Sequence, residues 1–152
     1  MVYEPPRPSR VPFAADQRNA SPLAPSPVIS PWSLIAVGDL LFVAGQSSIN
    51  DDGETVGVGD FEAQGHQTFS NLARVLAAGG CTLSDVIKVT VFVTDMSQLP
   101  TIVALRRRYF TAPYPTDSLV EVSALSRPEL QIEIEAIAVR CRAEPSSSEV
   151  GG

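Results

Sequence analysis

Two spacings of apolar residues alternate along the chain, and the places where one gives way to the other mark out its elements. Between Pro115 and Val139 the sequence PTDSLVEVSALSRPELQIEIEAIAV holds two strand-like runs and the carboxylates Asp117, Glu121, Glu133 and Glu135. Successive side chains of a strand point to opposite faces. In the second run Ile132, Ile134, Ala136 and Ala138 therefore share one face, and Glu133, Glu135, Ile137 and Val139 the other. In the first run Asp117, Leu119 and Glu121 fall opposite Ser118, Val120 and Val122. If both runs belong to one sheet, the carboxylates are expected on the face turned away from the main core.

Upstream, Leu34 to Val37 and Leu40 to Gln46 flank Gly38-Asp39, a two-residue hairpin signal. Asn50-Asp51-Asp52-Gly53-Glu54 reads as a second turn, since the alternating acids of a calcium loop are missing. Gly57 and Gly59 lack the third glycine and the leading strand of a dinucleotide fingerprint. From Asp60 the period lengthens: Phe61, Gly65, Phe69, Leu72 and Leu76 form one stripe, with Glu62, Gln64, Gln67 and Arg74 off it, and Gly79-Gly80 follows. This predicts an amphipathic helix of about five turns with a glycine C-cap. Val86 to Val93 is a β-branched run that predicts an interior strand. Ser97 is expected as an N-cap and Pro100 in the first turn of a second helix, which turns Ile102, Leu105, Tyr109 and Phe110 inward before Pro113 and Pro115 end it. The order is β-β-α-β-α-β-β, an α+β arrangement with two helices on one face of a mixed sheet.

At 152 residues and 44% hydrophobic, the chain is expected to be one domain long enough to bury a core. Residues 1–31 hold eight of the thirteen prolines and form an extended arm, either disordered or laid along a neighbouring subunit. Residues 143–152 are a polar tail. A net charge of −6 speaks against a phosphate-backbone partner. No apolar run approaches the ~20 residues of a membrane span and the N-terminus lacks the apolar stretch of a leader, so a cytoplasmic protein is expected. Cys81 and Cys141 have no metal-site or redox spacing and are expected as reduced, structural thiols.

Several strings in order resemble the RidA/YjgF family: VGDLLFVAGQ (37–46), LAAGGCTLSDVIKVTVFVTDM (76–96), YPTDSLVEV (114–122) and IEIEAIAV (132–139). The resemblance spans roughly residues 21–142, with the domain proper at 32–142. It implies a chorismate-mutase-like fold, a homotrimer whose sheets form a β-barrel with helices outside, and ligand clefts between subunits. It also implies hydrolysis of small imines and enamines without cofactor or metal. Glu133 stands where the family's glutamate orients the attacking water, and Gly45 where a glycine backbone contacts ligand. Trp32 replaces a substrate-packing tyrosine, Leu119 a frequent cysteine and Val103 a helix asparagine; with Ser118 they complete the expected ligand contacts.

One departure matters most. Where the family's deaminases carry an arginine that pairs with the substrate carboxylate, this chain has Asp117. At ~4 Å and an effective dielectric near 20, an attraction of about 4 kcal/mol would become a repulsion of similar size. Poor turnover of 2-imino acids is expected. If Asp117 and Glu133 face one cleft, like-charge repulsion raises at least one pKa and the two can act as an acid/base pair; otherwise Asp117 caps its turn. Arg127, in the loop before the last strand, is a candidate replacement cation. His66 is expected to be exposed, and Arg106-Arg107-Arg108 to be a solvated helix face, which also weighs against the ribonuclease activity once attached to the family. A second reading is a trimer without deaminase chemistry, binding a metabolite or acting as a holdase-like module.

Overall fold

The computed structural model describes residues 33–140. Trp32, Cys141, the proline-rich arm and the tail lie outside the described residues. Strands β1 (Leu34–Val37) and β2 (Leu40–Ser47) form the expected hairpin, with Gly38 at φ 60, a left-handed conformation that glycine enters without steric cost. Then come helix α1 (Phe61–Ala78), strand β3 (Val86–Val93), helix α2 (Leu99–Tyr109), strand β4 (Thr116–Glu121) and strand β5 (Ile132–Val139). The order matches the sequence pattern. The sheet runs β1-β2-β5-β3-β4, antiparallel except for β3 and β4, which α2 joins as a parallel crossover. Within one chain it is open, not a closed barrel.

α1 begins where Asp60 accepts a hydrogen bond from the Ala63 amide at 3.0 Å, and it ends at Gly79, followed by Gly80 at φ 80. All five residues of the expected stripe are buried, against Leu41 and Val43 of β2, Val89, Val91 and Val93 of β3, and the apolar face of β5. Gly65 sits where a Cβ would lie 2.3 Å from Leu105 Cδ1, so its missing side chain lets α1 and α2 approach. Gln64, expected off the stripe, is fully buried. Its Nε2 donates to the carbonyls of Gly57 and Glu129 at 3.2 and 2.8 Å, and its Oε1 accepts from the Gln131 amide at 2.8 Å. One glutamine thus satisfies three backbone groups of two loops, which is why a polar residue is tolerated there.

The start of α2 differs from expectation. Ser97 lies in a short 3-10 turn (Met96–Gln98), where the side chain of Asp95 accepts from its amide, and Gln98 precedes the helix; Pro100 does occupy the first turn. Tyr109 stacks on Phe69 at 4.4 Å, and its hydroxyl bonds His66 Nδ1 at 2.8 Å. His66 therefore helps join the two helices and is only partly exposed.

The register also corrects where the acids lie. Asp117, Leu119 and Glu121 pair with Val89, Val91 and Val93, so they share the helix-covered face. Glu133 and Glu135 pair with Phe92 and Thr90 and lie on the other face. Parity gives relative orientation within a run, not the face itself. β4 is an edge strand, so charged side chains there reach solvent even from the helix side. The open face carries Ile35, Val37, Leu40, Phe42 and Val120, each 36–41% exposed. No helix of the described residues is long and apolar enough to cross a membrane.

Gln64→Leu should keep the packing volume but strand two carbonyls and an amide, costing about 3 kcal/mol or more. A urea titration of both proteins measures this as a lowered midpoint with an unchanged slope.

Candidate functional site

The candidate residues fall into two groups, one on each face of the sheet. On the open face, the ladder between β2 and β5 shifts register between Val43 and Gln46. This bulge leaves Ala44 and Gly45 both exposed between buried Val43 and Gln46. The Glu133 carboxyl fills the space over Gly45: a Cβ there would lie 2.1 Å from Glu133 Oε1. Two residues expected separately as ligand contacts are thus neighbours, one providing the carboxylate and the other its seat. Burial raises the Glu133 pKa above the ordinary carboxylate value, and the charge of Glu135 adds to the rise. The like charge beside Glu133 is therefore Glu135 and not Asp117. Ser118 also points to this face, where its hydroxyl accepts from Lys88 Nζ at 2.7 Å.

The second group surrounds a groove of about 360 Å³ between α2 and the start of β4. Val89, Val103, Phe110, Tyr114 and Pro115 give it apolar walls, and its charged lining is Arg106, Arg107 and Asp117. Arg106 Nη1 lies 2.7 Å from Asp117 Oδ2, with side chains 33% and 25% exposed. A partly exposed pair of this kind contributes on the order of 1 kcal/mol or less to stability. Its larger effect is on the groove, where it removes a bare negative charge. Leu119 lies on the same sheet face and packs against the core.

Two expectations are corrected here. Asp117 and Glu133 do not form an acid/base pair within the chain, because they project from opposite faces of one sheet. Nor does Asp117 cap its turn; its partner is a cation. That cation is not Arg127, whose Nη1 donates to the Gly53 carbonyl at 2.9 Å and to Thr55 Oγ1 at 3.2 Å. There it clamps a loop together with Glu129, whose pKa is lowered chiefly by the hydrogen bond from Thr55. Arg106, expected as part of a solvated triplet, is the residue that sequence reasoning missed. The signal was its spacing: it follows Val103 by three residues and so shares the helix face of a position already assigned to the ligand.

A family model described as endoribonuclease L-PSP matches residues 23–140. The chain belongs to this family, the RidA/YjgF family. It is 33% identical over 121 residues to a 2-iminobutanoate/2-iminopropanoate deaminase of Dermatophagoides farinae, covering 79% of this chain and 93% of that protein. It is 41% identical over 118 residues to a RutC family protein of Pyrococcus horikoshii, covering 77% and 92%. Among solved structures, the YjgF gene product of Escherichia coli superposes with a TM-score of 0.66 at 35% identity, covering 72% of this chain and 87% of that one. Deaminase-type activity toward imines is thus present among the RidA/YjgF relatives of this chain.

Within this RidA/YjgF member, Gly45→Ala should displace the Glu133 carboxyl while costing little stability, because the colliding atoms are the end of a flexible side chain. The expected result is a thermal midpoint within about 3 °C of the parent, a shift smaller than ~1 kcal/mol gives in a domain of this size. A crystal structure should show the carboxyl moved.

Proposed function

We propose that this chain hydrolyses imine or enamine intermediates, with Glu133 directing the attacking water in a cleft completed between the subunits of a homotrimer. The observation that carries this is the half-buried Glu133 carboxyl, seated over a glycine with its pKa raised toward the working range of a general base. Water's oxygen bonds the imine carbon as Glu133 takes one of its protons. The C=N electron pair moves to nitrogen, which is protonated; the carbinolamine then loses ammonia and leaves a carbonyl. An enamine first becomes the imine by gaining a proton on carbon.

Two features favour assembly. Glu133 and the Asp117 groove occupy opposite faces of one sheet, so a cleft holding both draws them from different chains. The open face is also apolar, with Phe42 38% exposed, and burying such a face is the usual drive to association.

Asp117 alters substrate choice. The position where family deaminases present a guanidinium to a carboxylate here holds an acid, and the guanidinium nearest to it is engaged by that acid. Substrates without a carboxylate at this end are therefore favoured, and 2-imino acids are poor ones. Ammonia release from enzymatically generated 2-iminobutyrate should fall at least ~100-fold below that of an arginine-bearing relative, the scale of a lost charge-assisted pair. A comparable rate would overturn this substrate reading.

Glu133→Gln should abolish turnover of any accepted imine. If both forms bind ligand and neither turns it over, the protein is a binding module instead. The sign of the pH dependence follows from the raised pKa. Activity requires the carboxylate, so its acidic limb should lie above the ordinary glutamate value of ~4.3. A raised folded-state pKa means that the native protein binds the proton more tightly than the unfolded chain does. The stability contribution of Glu133 is thus full below the unfolded value and lost as pH rises through the folded one. Glu133→Gln should accordingly match or exceed the parent's thermal midpoint at pH 7, with the gap closing toward pH 4.

A further inference from the structure

The groove beside α2 has a polar end that neither a bare arginine nor a bare aspartate would give. Arg106 and Asp117 touch through one nitrogen and one oxygen, Nη1 to Oδ2, and neither side chain makes a further hydrogen bond or ion pair among the described residues. A guanidinium carries five N–H donors and a carboxylate has two acceptor oxygens. A pair joined at a single contact therefore keeps N–H donors on the arginine side and the second carboxylate oxygen on the aspartate side. Both residues line a groove whose other walls, Val89, Val103, Phe110, Tyr114 and Pro115, are largely apolar.

The geometry points to a primary carboxamide, or a group of the same shape such as a ureido end, as the ligand element held by Arg106 and Asp117. The amide carbonyl accepts from Arg106 while the amide N–H donates to Asp117. A carboxylate of the same size gains the first contact but sets an anion against the free oxygen of Asp117, with no proton to place there. The same logic lets a binding site reject an isostere that leaves a buried polar group unmatched. Arg107 lies at the rim of the groove, is exposed, and has no ion pair among the described residues. A charge in that position is screened by solvent and attracts any anion weakly. This inference deepens the function proposed above, resting on it only in taking the groove as the substrate's binding end.

The test is calorimetric titration of the full chain with 2-oxobutanamide and 2-oxobutanoate, ketones of the same shape as the corresponding imines. The parent protein should bind the amide about tenfold more tightly than the acid, the ratio for roughly one hydrogen bond's difference. In Asp117→Asn the order should reverse, because Arg106 is released to the carboxylate. In Arg106→Gln both ligands should bind more weakly and the preference for the amide should persist or widen, because Asp117 then faces the acid without its cation. Circular dichroism and thermal melts establish that each variant is folded, and Arg106→Met serves if Arg106→Gln is not. Parent protein that binds the acid as tightly as the amide, or binds neither saturably, overturns the assignment. So does a folded Asp117→Asn with unchanged preference. A preference for the acid that disappears in Arg107→Gln also overturns it, by making Arg107 the anion's anchor. No turnover is measured, so amide binding as stated by a protein that hydrolyses nothing would end the catalytic reading alone.

Discussion

A β-strand offers its two faces to two environments, and β5 depends on this more than any other element. Its even-numbered residues, Ile132 to Ala138, are sealed under α1 in the centre of the sheet. Its odd-numbered residues, Glu133 to Val139, project to the other side. The core therefore fixes the position of Glu133: β5 cannot slip by one residue without exchanging isoleucines for glutamates beneath the helices. Stability and chemistry are written on alternate positions of one strand. That separation allows a half-buried carboxyl with a raised pKa to exist beside a dry core without being part of it.

The same alternation explains what could and could not be read from the sequence. The stripe of α1, the hairpin at Gly38-Asp39 and the element order were legible because each is a local pattern with a local cause. The side of the sheet on which Asp117 lies was not. A short run such as Asp117 to Glu121 gives the same alternation whichever face is covered, and only its parallel pairing with β3 decides. Gln64 was misplaced for a related reason. Its partners are backbone groups at Gly57, Glu129 and Gln131, and the last two lie more than sixty residues away. Of the arginines singled out in the sequence, Arg127, in the suggestive loop, ties that loop to the turn at Gly53 and Thr55, and Arg106, in an apparently bland triplet, meets the aspartate.

Membership of the RidA/YjgF family accounts for the scaffold. The aspartate at position 117 does not act as an isolated charge, because Arg106 on the neighbouring helix pairs with it. The polar end of the groove thus holds a cation and an anion joined to one another, with Arg107 beside them.

The bulge in β2 reaches beyond the carboxyl that it seats. Ala44 and Gly45 face the same way, so the strand's parity is reset in mid-course: the interior positions are odd-numbered before the bulge, at Leu41 and Val43, and even-numbered after it, at Gln46 and Ser48. Removing one residue of the bulge would restore plain alternation, with Gln46 and Ser48 still facing inward and the Ser47 and Ile49 carbonyls still on the side of the Asn71 amide that holds them at 2.8 and 2.7 Å. The extra residue is consequently not required by the strand's own alternation; what it provides is the space over Gly45 that the Glu133 carboxyl occupies.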